Sequence, residues 1–257
     1  MRAIVIQSPW NAAAVEREIP RPKEGEALLK MICGGICGSD LASYRGMSAY
    51  VSYPRTIGHE FAAEVVEVGD NVYGIKPGMI VTGNPYFNCG TCYSCRRGMV
   101  NCCVRNETMG VQREGAFSDY LTMPVGRLYD GQGIDPKELA LIEPFCISCH
   151  GVSRASVKPG DKVLVFGAGA IGIQAGVAAK SFGARVYITD IAGEKVEAAV
   201  RDFHLDGGFV NESRERLDAF VQEITDGDGF DVTGEAVGAP STFLGCVQAA
   251  ASRGRAG

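Results

Sequence analysis

The order of apolar and polar residues divides the chain into two parts with different sequence patterns. Residues 1–128 alternate in short runs separated by turn residues, a pattern typical of strands that bury one face. Strands are predicted at residues 26–32, 60–68, 79–83 and 116–124. A helix is predicted to begin at Pro144 and to run toward residue 153, because proline is favoured at the first helical position.

The second half alternates apolar runs with helical segments. Strands are predicted at residues 162–166, 185–189, 209–210 and 230–233, and helices at residues 171–182, 193–203 and 214–225. This βαβ order predicts a parallel, doubly wound sheet. Only four strands are counted where such a domain has six, so we expect residues 251–257 to stop where a fifth strand would begin. The expected domains are residues 1–147 and 148–257.

Composition fits two ordinary domains. The chain has 257 residues, of which 46% are apolar and 21% charged, and its formal net charge is −5. No apolar run approaches the roughly 18–20 residues needed to span a bilayer, and neither half carries a basic excess. We therefore expect neither membrane insertion nor nucleic-acid binding. The amino terminus lacks the apolar stretch and cleavage site of a secretory signal, which predicts a cytoplasmic location.

A glycine-rich turn follows the first strand of the second half. Gly167, Gly169 and Gly172 form G-x-G-x-x-G between a predicted strand and a predicted helix. The first glycine suits a tight turn, the second a close approach to a pyrophosphate, and the third helix–strand packing. Asp190 ends the next strand, where a carboxylate would accept from a ribose hydroxyl and repel a 2′-phosphate, which favours NAD over NADP. The alternative is an ordinary βα turn beside a surface aspartate.

Ten cysteines in a reducing compartment indicate metal binding or catalysis before disulfides. Four of them are closely spaced in one glycine-containing loop: Cys89, Cys92, Cys95 and Cys103. Four thiolates of this density predict a closed, tetrahedral structural zinc site, with the neighbouring Cys102 an ordinary thiol. An iron–sulfur cluster is less favoured, because Val104 stands where ferredoxin runs have proline. A DNA-binding zinc ribbon is less favoured because the chain is acidic.

A second set of ligand types lies earlier in the chain. Cys37 precedes Ser39 and Asp40, and His59 precedes Glu60. One thiolate, one imidazole and one or two carboxylates are the ligands of a catalytic zinc that keeps a position open for water or substrate. A lone histidine is more often structural, so the hypothesis of a catalytic zinc site rests on the combination of these ligand types.

Five motifs in this order resemble the zinc-dependent medium-chain alcohol dehydrogenases, and most of all their polyol and sugar-acid branch. That branch includes sorbitol, threonine and L-galactonate dehydrogenases. The motifs are Cys37-Gly-Ser-Asp, Gly58-His-Glu, the cysteine loop with its Asn101-Cys-Cys ending, Ile142-Glu-Pro and Gly167-Ala-Gly-Ala-Ile-Gly. The resemblance covers essentially the whole chain. It implies a GroES-like catalytic domain followed by a Rossmann domain, here without its last strands.

The resemblance also implies roles for individual residues. Cys37, His59 and Glu60 would hold the catalytic zinc, and Glu143 would alternate with water as a ligand. Asp40 would accept from the second nitrogen of His59, and Ser39 would take the substrate proton. Contacts to NAD would come from Gly167, Gly169, Ile171, Gly172, Asp190 and Lys195. Two positions depart from the family pattern: Ala42 replaces a relay histidine and Ala63 replaces a glycine.

The leading hypothesis is an NAD-dependent zinc alcohol dehydrogenase that oxidises a secondary hydroxyl of a small polyol or sugar acid. The alternative is a folded zinc- and nucleotide-binding protein without turnover, because strands of the nucleotide sheet are missing. A haem or redox carrier is suggested by Cys146-x-x-Cys149-His150, but haem attachment needs export and the segment is predicted to be helical. Relatives commonly form dimers through the last strand of the nucleotide sheet, which leaves the oligomeric state of this chain open.

Overall fold

The computed structural model describes residues 1–257, which divide into two compact units, Met1–Glu143 and Pro144–Gly257. The first unit contains β1 (Arg2–Ser8), β2 (Asn11–Glu16), β3 (Glu26–Gly35), α1 (Gly38–Tyr44), β4 (Arg55–Thr56), β5 (Glu60–Val68), β6 (Ile80–Gly83), β7 (Tyr86–Phe87), α2 (Tyr93–Arg96), β8 (Glu107–Thr108), β9 (Tyr120–Pro124), β10 (Leu128–Asp130) and α3 (Pro136–Ala140). A longer helix, α4 (Ile142–Arg154), crosses the division.

The first unit is built on antiparallel sheets. Five strands pair in the order β10-β6-β5-β3-β9, three in the order β2-β1-β4, and β7 pairs with β8. The alternation that predicted the strands points Leu29, Phe61, Val65, Val81 and Met123 into one core, where each is almost fully buried. This half is therefore the β-domain that its pattern predicts, with short helices in its connections.

The second unit contains β11 (Lys162–Phe166), α5 (Ala170–Ser181), β12 (Arg185–Asp190), α6 (Gly193–Phe203), β13 (Gly207–Val210), α7 (Arg214–Thr225), β14 (Phe230–Glu235), α8 (Pro240–Ala249) and β15 (Ala250–Ala256). The five strands form one sheet in the order β13-β12-β11-β14-β15, and every pairing is parallel. The predicted parallel, doubly wound arrangement is confirmed.

The count of four strands in this sheet is wrong, because the residues expected to stop short of a fifth strand form β15. Its register against β14 shifts between the pairs Phe230–Ala250 and Val232–Arg255. Arg253 has a φ of 69°, which marks the irregularity that breaks the period-two pattern. A strand of small and basic residues with this bulge gives no alternating signal.

Most predicted boundaries fall within a few residues of the observed ones. The strands at residues 60–68 and 162–166 and the helices at residues 193–203 and 214–225 have the predicted bounds. The strand predicted at residues 116–124 begins only at Tyr120, and the helix predicted from Pro144 begins two residues earlier, at Ile142. No helix of the structure is both long enough and apolar enough to cross a membrane.

An aromatic cluster fills the core between the parallel sheet and helix α7. Phe230 is completely buried there. Its ring centroid lies 5.8 Å from that of Tyr187 in an edge-on arrangement and 6.3 Å from that of Phe220 in a stacked one. These rings supply large buried area and favourable pair geometry on one face of the sheet.

We expect Phe230→Ala to lower the free energy of unfolding by about 3–5 kcal/mol, because it removes buried area and leaves a cavity. Phe243→Ala is the control, since Phe243 is 56% exposed, and it should change stability by less than about 0.5 kcal/mol. Urea denaturation of both variants measures the difference. Equal effects would contradict the assignment of this core.

Candidate metal centres and dinucleotide turn

The pairing of β3 with β5 brings two ligand-bearing segments together. Gly35, at the end of β3, is opposite Glu60, at the start of β5. A Cβ atom at position 35 would lie 2.0 Å from Oε2 of Glu60, so a larger residue there would displace the Glu60 carboxylate from its present position. Cys37 follows two residues later as the residue that caps α1. The strand register thus places Cys37 beside the Gly58-His-Glu segment.

Cys37, His59 and Glu60 form a compact group of possible metal ligands. The thiol sulfur, an imidazole nitrogen and a carboxylate oxygen all lie within 4.8 Å of one another. His59 is 5% exposed and Glu60 7% exposed, and the buried Nδ1 of His59 has no hydrogen-bond partner. A buried sulfur–nitrogen–oxygen set with an unpaired polar atom fits a zinc ion that takes a further, exchangeable ligand.

The electrostatics of this group show how strongly its members interact. The neighbouring His59 lowers the pKa of the Cys37 thiol. Burial would lower the pKa of His59, but its contact with Cys37 and the charge of Asp40 raise that pKa to about 9. Burial raises the pKa of Glu60. The thiol and the imidazole thus favour each other's charged forms, and a divalent cation would take the place of the imidazole proton.

Asp40 connects the two ligand segments through the backbone. Its Oδ2 accepts from the backbone N–H of Cys37 at 2.9 Å, and its Oδ1 accepts from that of Gly58 at 3.2 Å. The distance from Oδ1 to Nδ1 of His59 is 3.9 Å, which is an ion-pair distance rather than the hydrogen bond that the resemblance implies. Asp40 is buried, whereas Ser39 is exposed at the start of α1.

The four-cysteine loop is closed by the short β7–β8 ladder. Phe87 pairs with Glu107, so the chain leaves and returns at one place. The sulfurs of Cys89, Cys92, Cys95 and Cys103 all lie within 4.8 Å of one another, and Cys102 is outside the group and exposed. This is the geometry that the spacing predicts for a closed four-thiolate site.

Hydrogen-bond donors surround the sulfurs of this loop. Hydrogen bonds from the Thr91 backbone and the Arg105 side chain lower the pKa of Cys89 to about 5. Burial and the neighbouring thiols raise the pKa of Cys95 to about 11. Cys89 and Cys95 therefore do not ionise together on their own, and a bound divalent cation is what would stabilise thiolates at both positions.

The glycine-rich turn lies at the amino end of α5, between a strand and a helix as the sequence predicts. Gly167 has a φ of 104°, and a Cβ atom at Gly172 would lie 1.8 Å from the carbonyl oxygen of Gly167. Gly169 caps α5, and no atom lies within 4 Å of where its Cβ would be. The turn therefore leaves open space at a helix N-terminus, which fits a pyrophosphate. Ile171 lies in the first turn of α5 and is 38% exposed.

Asp190 joins this turn to the next loop. Its carboxylate accepts from the backbone N–H groups of Ala168 at 2.8 Å and Ala192 at 3.0 Å. Burial works against ionisation, but these hydrogen bonds and the charge of Lys195 keep the pKa of Asp190 below its usual value. The carboxylate is ionised and fixed at the carboxyl end of β12.

Family models match most of the chain. Residues 23–132 match the alcohol dehydrogenase GroES-like domain, and residues 170–257 match the zinc-binding dehydrogenase domain. Over 99% of this chain, an L-threonine 3-dehydrogenase of Pyrococcus abyssi is 34% identical, and the match spans 74% of that protein. The chain belongs to the zinc-dependent alcohol dehydrogenase family.

Other members of this alcohol dehydrogenase family agree in sequence and fold. The L-galactonate-5-dehydrogenase of Escherichia coli K12 is 43% identical over 77% of this chain, and the match spans 58% of that enzyme. A short chain alcohol dehydrogenase of Escherichia coli CFT073, solved with NADH, has 31% identity and a TM-score of 0.91 over all of this chain and 75% of its own. A protein of Sinorhizobium meliloti 1021, solved with NADP, has 29% identity and a TM-score of 0.93 over 99% of this chain and 75% of its own.

The structure also reveals contacts that the sequence motifs did not indicate. The Tyr86 hydroxyl donates to Oε1 of Glu143. Arg105 donates to the sulfur of Cys89 at 3.5 Å and to the hydroxyl of Thr91 at 2.6 Å. Arg105 lies two residues after Cys103, so its proximity to the loop could have been expected. Tyr86 and Glu143 are far apart in sequence, and no local pattern links them.

We expect the zinc-loaded protein to contain two metal ions per chain, and Cys92→Ser to contain one. Removal of one thiolate opens the closed four-cysteine site, whereas the Cys37–His59–Glu60 group keeps its ligands. Metal analysis after gel filtration measures the ratio. Cys102→Ser is the matched control and should retain two ions. Loss of metal from both variants alike would contradict the assignment of the four ligands.

Proposed function

We propose that this chain oxidises a secondary hydroxyl of a small polyol or sugar acid and transfers the hydride to NAD. The observation that carries this proposal is the presence of both an open-type ligand group, Cys37–His59–Glu60, and a complete dinucleotide turn in one chain. Either feature alone would suit a binding protein. Together they supply what alcohol oxidation requires, a Lewis acid and a hydride acceptor.

The substrate class is inferred from relatives. Proteins similar to this chain are named L-galactonate-5-dehydrogenase, L-threonine 3-dehydrogenase and sorbitol dehydrogenase. These three substrates are small, polar molecules with a secondary hydroxyl group. We therefore propose this class as the substrate of the present chain, in the cytoplasmic compartment where its thiols stay reduced.

Residues of the first unit would activate the alcohol, each in a different role. Zinc bound by Cys37, His59 and Glu60 would lower the pKa of the substrate hydroxyl. Ser39 is exposed at the start of α1, where its hydroxyl can take the proton and pass it to water. Ala42 supplies no further relay group, so we propose that the proton leaves through water or the cofactor hydroxyls. Asp40 holds both ligand segments in place through its two backbone hydrogen bonds.

The residues of the second unit hold the cofactor. The backbone around Gly167, Gly169 and Gly172 would cradle the pyrophosphate, with Ile171 beside it. The ionised carboxylate of Asp190 would accept from the ribose hydroxyls and disfavour a 2′-phosphate, so NAD is the proposed cofactor. Lys195 is exposed near Asp190 and would contact the same ribose.

The direct test is NADH production by the zinc-loaded protein with a panel of polyols and sugar acids. We expect absorbance at the NADH band with at least one substrate, its loss with a chelator and its return with added zinc. Ser39→Ala should lower kcat by about 10²–10⁴-fold, the usual contribution of a positioned proton acceptor. Zinc content and NADH affinity should not change. Ser153→Ala, an exposed serine on α4, is the matched control.

No chelator-sensitive NADH production from an intact, two-zinc sample would contradict the proposed function. A wild-type rate for Ser39→Ala would contradict only the role of that hydroxyl.

We expect Asp190→Asn to reduce the preference for NADH over NADPH by about 10-fold, or about 1.4 kcal/mol, because the repelling charge is gone while the side-chain shape is kept. Fluorescence titration with each cofactor measures the two dissociation constants. Asp231→Asn is the matched control, since Asp231 also accepts from a backbone N–H group, that of Lys162 at 2.8 Å. An unchanged ratio in Asp190→Asn would show that Asp190 does not select the cofactor.

A further inference from the structure

Glu143 makes one side-chain hydrogen bond, and it is with Tyr86. The phenolic hydroxyl of Tyr86 donates to Oε1 of Glu143. Glu143 is 7% exposed, so its carboxylate has little access to water. A buried carboxylate needs a donor or a cation beside it. In this structure that partner is the hydroxyl of Tyr86.

The carboxylate of Glu143 lies outside the compact ligand group. The atoms within 4.8 Å of one another belong to Cys37, His59 and Glu60, and Glu143 is not among them. Its charge nevertheless acts on His59, so it lies near the group. Glu143 thus lies near the ligand group without belonging to it, and its carboxylate is hydrogen-bonded to Tyr86.

The charge balance of the site favours this separation. The thiolate of Cys37 and the carboxylate of Glu60 together neutralise the two charges of a zinc ion, and His59 adds a neutral nitrogen. Glu143 as a further ligand would place a third anionic donor on a divalent cation, in contact with the like charge of Glu60. The hydrogen bond from Tyr86 gives its buried carboxylate a partner without that like-charge contact.

Tyr86 is well placed to hold Glu143, because its own backbone is fixed from several sides. Its N–H donates to Oδ1 of Asn84 at 3.0 Å, and its carbonyl accepts from the guanidinium of Arg127. Strand β7, which contains Tyr86, pairs with β8 at the base of the cysteine loop. None of these contacts involves the Cys37–His59–Glu60 group.

We propose that Tyr86 is a positioning residue that holds Glu143 off the metal and so keeps the exchangeable ligand position free for water or the alcohol. The inference rests on the proposed function, because it concerns the same metal centre. Tyr86 would thus determine whether Glu143 binds the metal. Without substrate, Glu143 would stay hydrogen-bonded to Tyr86.

The experiment is ¹¹³Cd NMR of the cadmium-loaded protein, because the two predicted sites give separate resonances. The four-thiolate site resonates far downfield, and the mixed-ligand site lies upfield of it. A carboxylate oxygen in place of water at the exchangeable position shifts the mixed-site resonance. We expect Tyr86→Phe to cause this shift and to leave the four-thiolate resonance unchanged as an internal reference.

Three further variants make the test specific. Tyr86→Phe combined with Glu143→Gln should return the mixed-site resonance to its wild-type position. Glu143→Gln alone should leave it unchanged, because Glu143 is not a ligand while Tyr86 holds it. Tyr53→Phe is the matched control, since Tyr53 is also partly buried and donates its hydroxyl to the backbone, to the carbonyl oxygen of Ser43 at 2.5 Å.

Each outcome decides between the inference and the proposed function. The same mixed-site resonance in wild type and Tyr86→Phe overturns the role of Tyr86 and leaves the metal centre intact. A shift caused by Glu143→Gln alone also overturns it, because Glu143 would then be a ligand in the wild type. A wild-type spectrum without any mixed-site resonance overturns the metal centre itself, and the proposed function with it. Glu143→Gln keeps the test available even if Tyr86→Phe does not fold.

Discussion

The antiparallel pairing of β3 with β5 is the constraint on which the first unit's chemistry depends. The two strands are central in their sheet and carry much of its buried core, so their register is set by packing. That same register places Gly35 against Glu60 and, just beyond the strand end, Cys37 beside His59. A slip of one residue would turn every side chain to the opposite face and separate the sulfur, nitrogen and oxygen atoms.

Charge is the second constraint, because the site buries several acidic groups in a small volume. Asp40, Glu60 and Glu143 are all almost fully buried, and each has a different partner. Asp40 accepts from two backbone N–H groups, Glu60 lies in the ligand group, and Glu143 accepts from Tyr86. This division of partners would allow three carboxylates to lie near one divalent cation, with only Glu60 as its ligand.

The sequence predicts the parts of this molecule in which local pattern and chemistry coincide. Strand β5 is an apolar run interrupted by single glutamates, the glycines after β11 have their fixed spacing, and the four cysteines lie in one loop, so each was located from residues alone. Strand β15 was missed because its bulge at Arg253 removes the alternation. The Tyr86–Glu143 contact joins residues 57 positions apart, and the Asp40–Gly58 contact depends on backbone geometry. Neither has a local signature, since both arise only when the strands pair.

Two metal centres of different ligand type in the first unit are the central claim, and anomalous diffraction at the zinc edge tests it most directly. Crystals of the zinc-loaded chain should show two anomalous peaks per chain. One should lie among Cys89, Cys92, Cys95 and Cys103, and the other should be bonded to Cys37, His59 and Glu60, with Glu143 still hydrogen-bonded to Tyr86. A single peak in the cysteine loop, with Cys37, His59 and Glu60 bonded to no metal, would contradict the account.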